Sequence, residues 1–536
     1  MENLAAFPLL SIITFLPSIG ALFIIFFIKR EDVEETKWVA LATSVATFAA
    51  SVYLLFDFDA TSAQFQWVER HVWIKRFGMS YFMAVDGISL LLVLLTTFIT
   101  IVCILASWHD IKHKVKPFMA MMLFVETGSL GVFLAMDLFL FYVFWEAVLI
   151  PMVFIIGVWG GGRRLYSAIK FFVFTFSGSL FMLIGLIALY YYHGDITGVY
   201  TFDATVLLES PVQPNLQRWI FIAMFLGFAV KVPMFPLHTW LPDAHTEAPT
   251  AGSIVLAAVL LKLGTYGFLR FALPLLPNAS VSFAPLMIGI SVFAIIYGAF
   301  VTIAQKDMKK LVAYSSVSHM GFVMLGMFVF NIEGLKGSVL QMINHGISTG
   351  LLFLLVGMIY ERTHTRTIGD YTGLFKVLPV YATCFLITVI SSMGFPTTNG
   401  FIGELFVLIG AYKASWLLSV FAVVGVLLGA VYLLRMFQRV FLGEFSYHGK
   451  EELKDLNLRE KFAAVPLIAV VFFIGLYPRP VLKMMDAPLK NLSAQIERNF
   501  KKAAALSETE PRAIAAADGH TSDSEAGKDI KDSKTQ

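Results

Sequence analysis

The stretch Phe228-Ala229-Val230-Lys231-Val232-Pro233-Met234-Phe235-Pro236-Leu237-His238-Thr239-Trp240-Leu241-Pro242-Asp243-Ala244-His245 governs the reading of the whole chain. An apolar run of helical length ends on a lysine, and two prolines follow three residues apart. Each proline removes a backbone donor and clashes with the preceding turn. In hydrocarbon the freed backbone groups are tolerated only where protein or a water-filled cavity satisfies them. The pattern therefore predicts a membrane helix, spanning 219–241, that is interrupted beside an ionisable group. A second stretch repeats the device. Ser391-Ser392-Met393-Gly394-Phe395-Pro396-Thr397-Thr398-Asn399-Gly400 interrupts an apolar run over 378–413 that is too long for one crossing, and Glu404 follows it. Paired interrupted segments in two parts of a chain point to an ion site at mid-bilayer.

Composition agrees with that reading. Of the 536 residues 58% are hydrophobic and 14% are charged, where soluble domains carry about 45–50% and about 25%. No soluble core can hide the excess, so a soluble enzyme is excluded. With 40 Lys+Arg against 37 Asp+Glu, there is no basic reserve for a nucleic-acid face. Cys103 and Cys384 each stand alone in apolar surroundings, which excludes an iron–sulfur cluster or a Cys-rich zinc site in this chain. Gly160-Gly161-Gly162 leads into Arg163-Arg164 without the strand–helix setting of a phosphate loop. Redox or nucleotide chemistry, if coupled to this protein, needs cofactors held elsewhere.

Apolar runs long enough to cross about 30 Å of hydrocarbon recur over 4–28, 38–56, 86–108, 117–136, 138–159, 168–192, 219–241, 250–271, 282–304, 309–330, 337–360, 378–413, 416–442 and 461–480. Lys29 and Arg30 follow the first run instead of preceding it, so it reads as a retained helix with its N-terminus outside. Lys112, Lys114, Lys116, Lys306, Lys309 and Lys310 fall in loops that this orientation puts inside. From about Leu489 the chain turns to Ala, Ser, Glu, Lys and Asp, with no aromatic after Phe500, and composition predicts a disordered tail.

The informative side chains are ionisable and lie within the spans. Glu146, Lys231, Lys262 and Glu404 are each too deep for easy access to water, and a central charge costs at least about 2.5–3.5 kcal/mol on insertion scales. Four ties between helices would not need ions, because buried ion pairs rarely repay their desolvation. In low dielectric an ammonium is favoured by an adjacent carboxylate and disfavoured once the carboxylate withdraws. A Glu146–Lys231 pair beside a broken helix could therefore switch proton occupancy. His319 and His345 lie among Ser, Thr and Asn between Lys262 and Glu404; they read either as satisfied core residues or as links of a proton relay. Glu126 is a further carboxylate within a span and a candidate addition to the Glu146 site. Asp137 sits at a turn and can start a helix or join the path. His238, Asp243 and His245 cluster with Glu247 at one end of the broken helix and read as a proton entrance, without the spacing of a metal site.

Trp145-Glu146, the run from Lys231 to His245, Lys262 and Ser315-Ser316-Val317-Ser318-His319-Met320-Gly321 resemble the antiporter-like membrane subunits of respiratory complex I. The resemblance covers the chain up to about Leu489. It implies an all-α polytopic membrane fold of about fourteen transmembrane helices, in which helices 7 and 12 are broken. Helices 1–3 would occupy 1–116, two inverted five-helix repeats 117–271 and 282–442, helix 14 461–488, and the tail 489–536. It implies a midplane row of Glu146, Lys231, Lys262, His319, His345 and Glu404, with Glu146–Lys231 as a switchable pair, Lys262 as central relay and Glu404 as terminal group. The implied function is proton translocation driven by quinone reduction in other chains. The resemblance also implies no cofactor in this chain, with FMN, iron–sulfur clusters and quinone expected in partner subunits. Implied partners are the other membrane subunits, sister antiporter-like chains among them, and the lipid bilayer, in a bacterial or mitochondrial inner membrane. The alternatives are a cation/proton antiporter subunit of a multi-chain transporter and a purely structural anchor.

Overall fold

The computed structural model describes residues 7–210, 212–447 and 453–519. Its principal elements are α1 (Leu9–Phe27), α2 (Val33–Tyr53), the antiparallel hairpin β1 (Gln66–Ile74) and β2 (Met79–Val85), α3 (Gly87–Asp110), α4 (Val115–Leu134), α5 (Leu138–Ala147), α6 (Leu149–Trp159) and α7 (Arg164–Thr197). They continue with α8 (Pro214–Lys231), α9 (Trp240–Glu247), α10 (Thr250–Leu275), α11 (Pro277–Ile303), α12 (Met308–Phe328), α13 (Ile332–Thr363), α14 (Pro379–Ser392), α15 (Asn399–Ala414), α16 (Trp416–Phe441), α17 (Leu458–Leu476) and α18 (Arg479–Gly519). Among the described residues ten helices are long and apolar enough to cross a membrane, and an eleventh if α17 and α18, bent by 69°, count as one span. The apolar runs called over 219–241 and 378–413 are each divided, into α8 with α9 and α14 with α15.

Local chemistry sets the boundaries. Asp86 accepts from the backbone N–H groups of Ile88 and Ser89 and closes a capping box with Ser89 at the start of α3. Asp137 caps α5 by accepting from Phe139 and Leu140, and Asp307 caps α12 through Lys309 and Lys310. Pro214, Pro277 and Pro379 open their helices at the first turn, where the missing N–H costs nothing. Between α8 and α9 lie Pro233 and Pro236; between α14 and α15 lie Gly394, with φ of +72°, and Pro396.

The hairpin marks one face of the bundle, called here the hairpin face. It carries the start of α3, the end of α4 and the capping turn of α5, since Met136 N–H donates to the Phe82 carbonyl and Asp137 also accepts from Ser80. The centre of the bundle is α10 and α13, whose apolar windows are wholly buried; α7, α11 and α16 present much of their surface to the outside. The residues called a disordered tail from 489 instead extend α18 to Gly519, while 520–536 lie outside the described residues. Composition missed this because Val481, Met485, Leu489, Leu492 and Ile496 form one buried strip against the bundle, and tertiary packing of an amphipathic face outweighs a polar average.

Gly264 lets α10 approach the break after α8: a Cβ there would lie 2.8 Å from the Phe228 carbonyl oxygen and 3.0 Å from Val232 N. Gly264→Ala is expected to destabilise the protein by roughly 1–3 kcal/mol through overpacking, read as a lower thermal unfolding midpoint in detergent. Gly289→Ala, whose Cβ would meet nothing within 4 Å, should leave the midpoint unchanged or raise it.

Candidate functional site

The deepest charged side chain is Lys262, fully buried at the middle of α10. Two π-helical turns flank it, Leu256–Leu260 and Phe268–Ala272; such turns inside α-helices are frequent at functional sites. The first brings the Ala257 carbonyl to the lysine, whose Nζ donates to it at 2.5 Å. The same Nζ is 2.6 Å from His345 Nδ1 on α13. The two helices come this close because Gly346 has no side chain: a Cβ there would meet the Ala258 carbonyl at 2.9 Å.

From His345 the row continues to His319 and Glu404. Its ring lies 5.8 Å from that of His319 on α12, at 61°, and His319 Nδ1 is 3.6 Å from Glu404 Oε1 on α15. Gln341 Nε2 donates to the same oxygen at 3.4 Å. His345, His319 and Glu404 are all buried. Beside them runs a polar seam across the second break: Asn344 Nδ2 donates to the Asn399 carbonyl at 2.7 Å, Ser348 and Ser391 share a hydrogen at 2.7 Å, and Ser391 donates to Asn399 Oδ1 at 2.6 Å. His319, Gln341, Asn344, His345, Ser348 and Ser391 border a cavity of about 10 Å³, the space of about one water molecule.

Lys231 ends α8 at the first break and is buried. Its ammonium lies 5.3 Å from the Trp145 ring centroid and 5.9 Å from that of Phe171, an arrangement that stabilises a cation. Glu146, at the joint of α5 and α6, is only half-buried. It forms no ion pair within 4.0 Å; its polar neighbours are Ser179 on α7 and Tyr142 on its own helix, with Lys231 beyond. The pair is thus drawn apart in this structure.

The remaining candidates have separate surroundings. Glu126 is buried on α4 with neither carboxylate oxygen hydrogen-bonded, and its titratable neighbour is Cys103 on α3, not Glu146. Asp137 is committed to capping α5 and to Ser80. Asp243 pairs with Lys170 at 2.7 Å. His238 packs against Phe235 and Tyr297. His245 is fully buried, stacked 4.5 Å from Phe353, and neither ring nitrogen has a hydrogen-bond partner. No group of three or more metal-ligating side chains occurs among the described residues. Both cysteines are free and buried. Ser179, Gln341, Ser391 and Asn399 were not singled out from sequence; single polar residues in apolar runs gave no signal until the breaks brought them together.

Gly394 is required at the second break twice over, by its φ of +72° and because an added Cβ would run into Glu404 Oε2. Gly394→Ala should displace that carboxylate and destabilise the protein by roughly 1–3 kcal/mol, read as a lower thermal unfolding midpoint in detergent.

The chain was compared with known proteins. Residues 135–429 match the family model described as NADH:quinone oxidoreductase/Mrp antiporter, TM, and residues 13–137 match one described as NADH-ubiquinone oxidoreductase chain 4, amino terminus. It is 44% identical to the NADH-quinone oxidoreductase subunit M of Rickettsia typhi over 90% of this chain and 98% of that one. It is 41% identical to the NADH-ubiquinone oxidoreductase chain 4 of Arabidopsis thaliana over 89% and 95%. Among solved structures it superposes on a chain of respiratory complex I from Thermus thermophilus with a TM-score of 0.83, 31% identity and coverage of 91% and 99%. It shares its fold with a chain of the Mrp complex from Dietzia, at a TM-score of 0.79, 20% identity and coverage of 92% and 100%.

Proposed function

The chain belongs to the NADH:quinone oxidoreductase/Mrp antiporter family of membrane subunits, and from that premise we propose that its buried row moves protons as one translocating module of an NADH–quinone oxidoreductase. The observation that carries the reading is the buried series Lys262, His345, His319 and Glu404, which crosses three helix interfaces through the apolar core. Nothing in that series performs redox chemistry. FMN, iron–sulfur clusters and quinone belong, on this reading, to partner subunits, and quinone reduction there supplies the work; moving one charge against 100 mV takes about 2.3 kcal/mol.

Each group has a task. Glu146 and Lys231 form the switch: with the carboxylate withdrawn, as here, the ammonium keeps only aromatic faces, and its proton is more readily passed on. Lys262 holds a proton between the Ala257 carbonyl and His345 Nδ1 and delivers it to the imidazole. His345 and His319 exchange it across their ring contact, with the seam of Asn344, Ser348 and Ser391 offering polar neighbours. Glu404 receives it from His319. The separation of 3.6 Å there closes by side-chain rotation or through one water. His238, Asp243 and His245 serve as the proton entrance on the face opposite the hairpin, where the basic loops place the inside. Two inverted repeats over 117–271 and 282–442, within about fourteen crossings, are supported by the matching Phe-Pro breaks at Phe235–Pro236 and Phe395–Pro396. Because the family model also covers Mrp antiporters, exchange of another cation for protons is the second reading.

Lys231→Ala and Glu146→Ala are each expected to lower proton pumping and coupled quinone reductase activity together by roughly tenfold or more, about 1.4 kcal/mol of barrier. Proton uptake in vesicles and NADH oxidation check this; wild-type turnover and stoichiometry in either variant defeat the proposal. Mass spectrometry of the detergent-extracted complex separates the two readings: NADH-oxidising chains support the first, and sodium-stimulated proton exchange without such chains supports the second.

A further inference from the structure

The two ends of α10 differ in a way that the row itself does not explain. Toward the face opposite the hairpin, Lys262 has unengaged titratable neighbours. His245 keeps both ring nitrogens free, and His345 keeps Nε2 free. Toward the hairpin face, Tyr266 and Arg270 follow Lys262 at four-residue spacing, and they are engaged with each other and with Asp86. Tyr266 donates its hydroxyl hydrogen to the Phe133 carbonyl at 2.9 Å. The Tyr266 hydroxyl oxygen accepts from Arg270 Nε at 3.1 Å. The guanidinium pairs with Asp86 at 2.6 Å and stacks 5.3 Å from the Phe65 ring. Asp86 in turn accepts from Ile88 N, Ser89 N and Ser89 Oγ at 3.0, 3.0 and 3.1 Å. Tyr266 and Asp86 are buried and Arg270 nearly so. Arg270 lies in the second π-helical turn, about 12 Å along the axis from Lys262.

This arrangement cannot carry a proton outward. Beyond Lys262 on α10 stand two hydroxyls, that of Thr265, which donates to the Lys262 carbonyl, and that of Tyr266. The tyrosine's hydrogen is committed to a carbonyl, and its oxygen accepts from a guanidinium that does not deprotonate in proteins. Protonating it would create a second cation against the first, and arginines at constrictions exclude protons for this reason. We propose that Tyr266, Arg270 and Asp86 form a proton seal that closes the direct route from Lys262 to the hairpin face, so that a proton on Lys262 reaches that face only sideways, through His345 and His319 to Glu404. The inference rests on the translocation reading above and adds to it the reason why the first half of the chain does not short-circuit the second.

The test is passive proton influx into proteoliposomes holding the intact complex, without substrate, under an imposed potassium diffusion potential and with a trapped pH dye. Arg270→Gln is expected to raise influx severalfold over wild type, because Tyr266 and Asp86 then lose the N–H groups that occupy them. Adding Lys262→Met to Arg270→Gln should return influx to the wild-type level, and Arg270→Lys should leak less than Arg270→Gln. Tyr266→Phe, which removes the hydroxyl that meets Arg270 Nε, should stay tight. A tight Arg270→Gln complex overturns the seal, as does a leak that Lys262→Met leaves unchanged. If Arg270→Gln does not assemble, a leaking Tyr266→Phe complex overturns it instead. Failure of the translocation reading is separately visible, since Lys262→Met alone would then pump at the wild-type stoichiometry.

Discussion

The hydrogen bond of 2.6 Å between Lys262 and His345 is the interaction around which the rest of the bundle is arranged. A lysine at the middle of a wholly buried helix is costly unless something polar meets it. Three features provide that meeting. A π-helical turn presents the Ala257 carbonyl, Gly346 lets α13 come close enough for its histidine to reach, and α13 itself is shielded along its whole apolar window. Remove the glycine and the imidazole moves away; remove the wide turn and the carbonyl returns to its own ladder.

The two breaks serve the same end in different ways. At the first, prolines free the end of α8, so Lys231 projects between aromatic rings while its carboxylate stands off. At the second, Gly394 turns the chain against Glu404, and Asn399 and Ser391 are shared between α14, α15 and α13. Both are places where backbone groups would be left unsatisfied in lipid, and both lie partly against protein, with Pro236 at the first and Phe395, Pro396 and Thr397 at the second exposed. Irregular backbone and buried charge thus occur together because each needs the other's polar company.

Much of this was legible in the chain itself. Ionisable residues within apolar runs announce themselves by their cost, which marked Lys262 and Glu404, while His319 and His345 stood out by their Ser, Thr and Asn neighbours; the four lie in one series. The breaks at Pro233 and Gly394–Pro396 were legible from proline and glycine chemistry. Other features were not. The turns at Leu256–Leu260 and Phe268–Ala272 have the same apolar pattern as an ordinary helix, so periodicity could not mark them. Arg270 and Asp86 are far apart in sequence, and each alone reads as a span-end charge. Glu126 looked like a companion to Glu146 because both are carboxylates in neighbouring spans, but its surroundings are those of α3. The segment after Leu489 was misread because an average over polar residues hides a narrow apolar strip.

Glu146 is the one member of the row that its own chain covers incompletely. Its Oε1 is nonetheless closed off, so only part of the acid meets the outside on the flank formed by α5, α6 and α7. A surface that docks there and binds only the folded chain would complete that cover and raise the apparent stability of the chain by mass action.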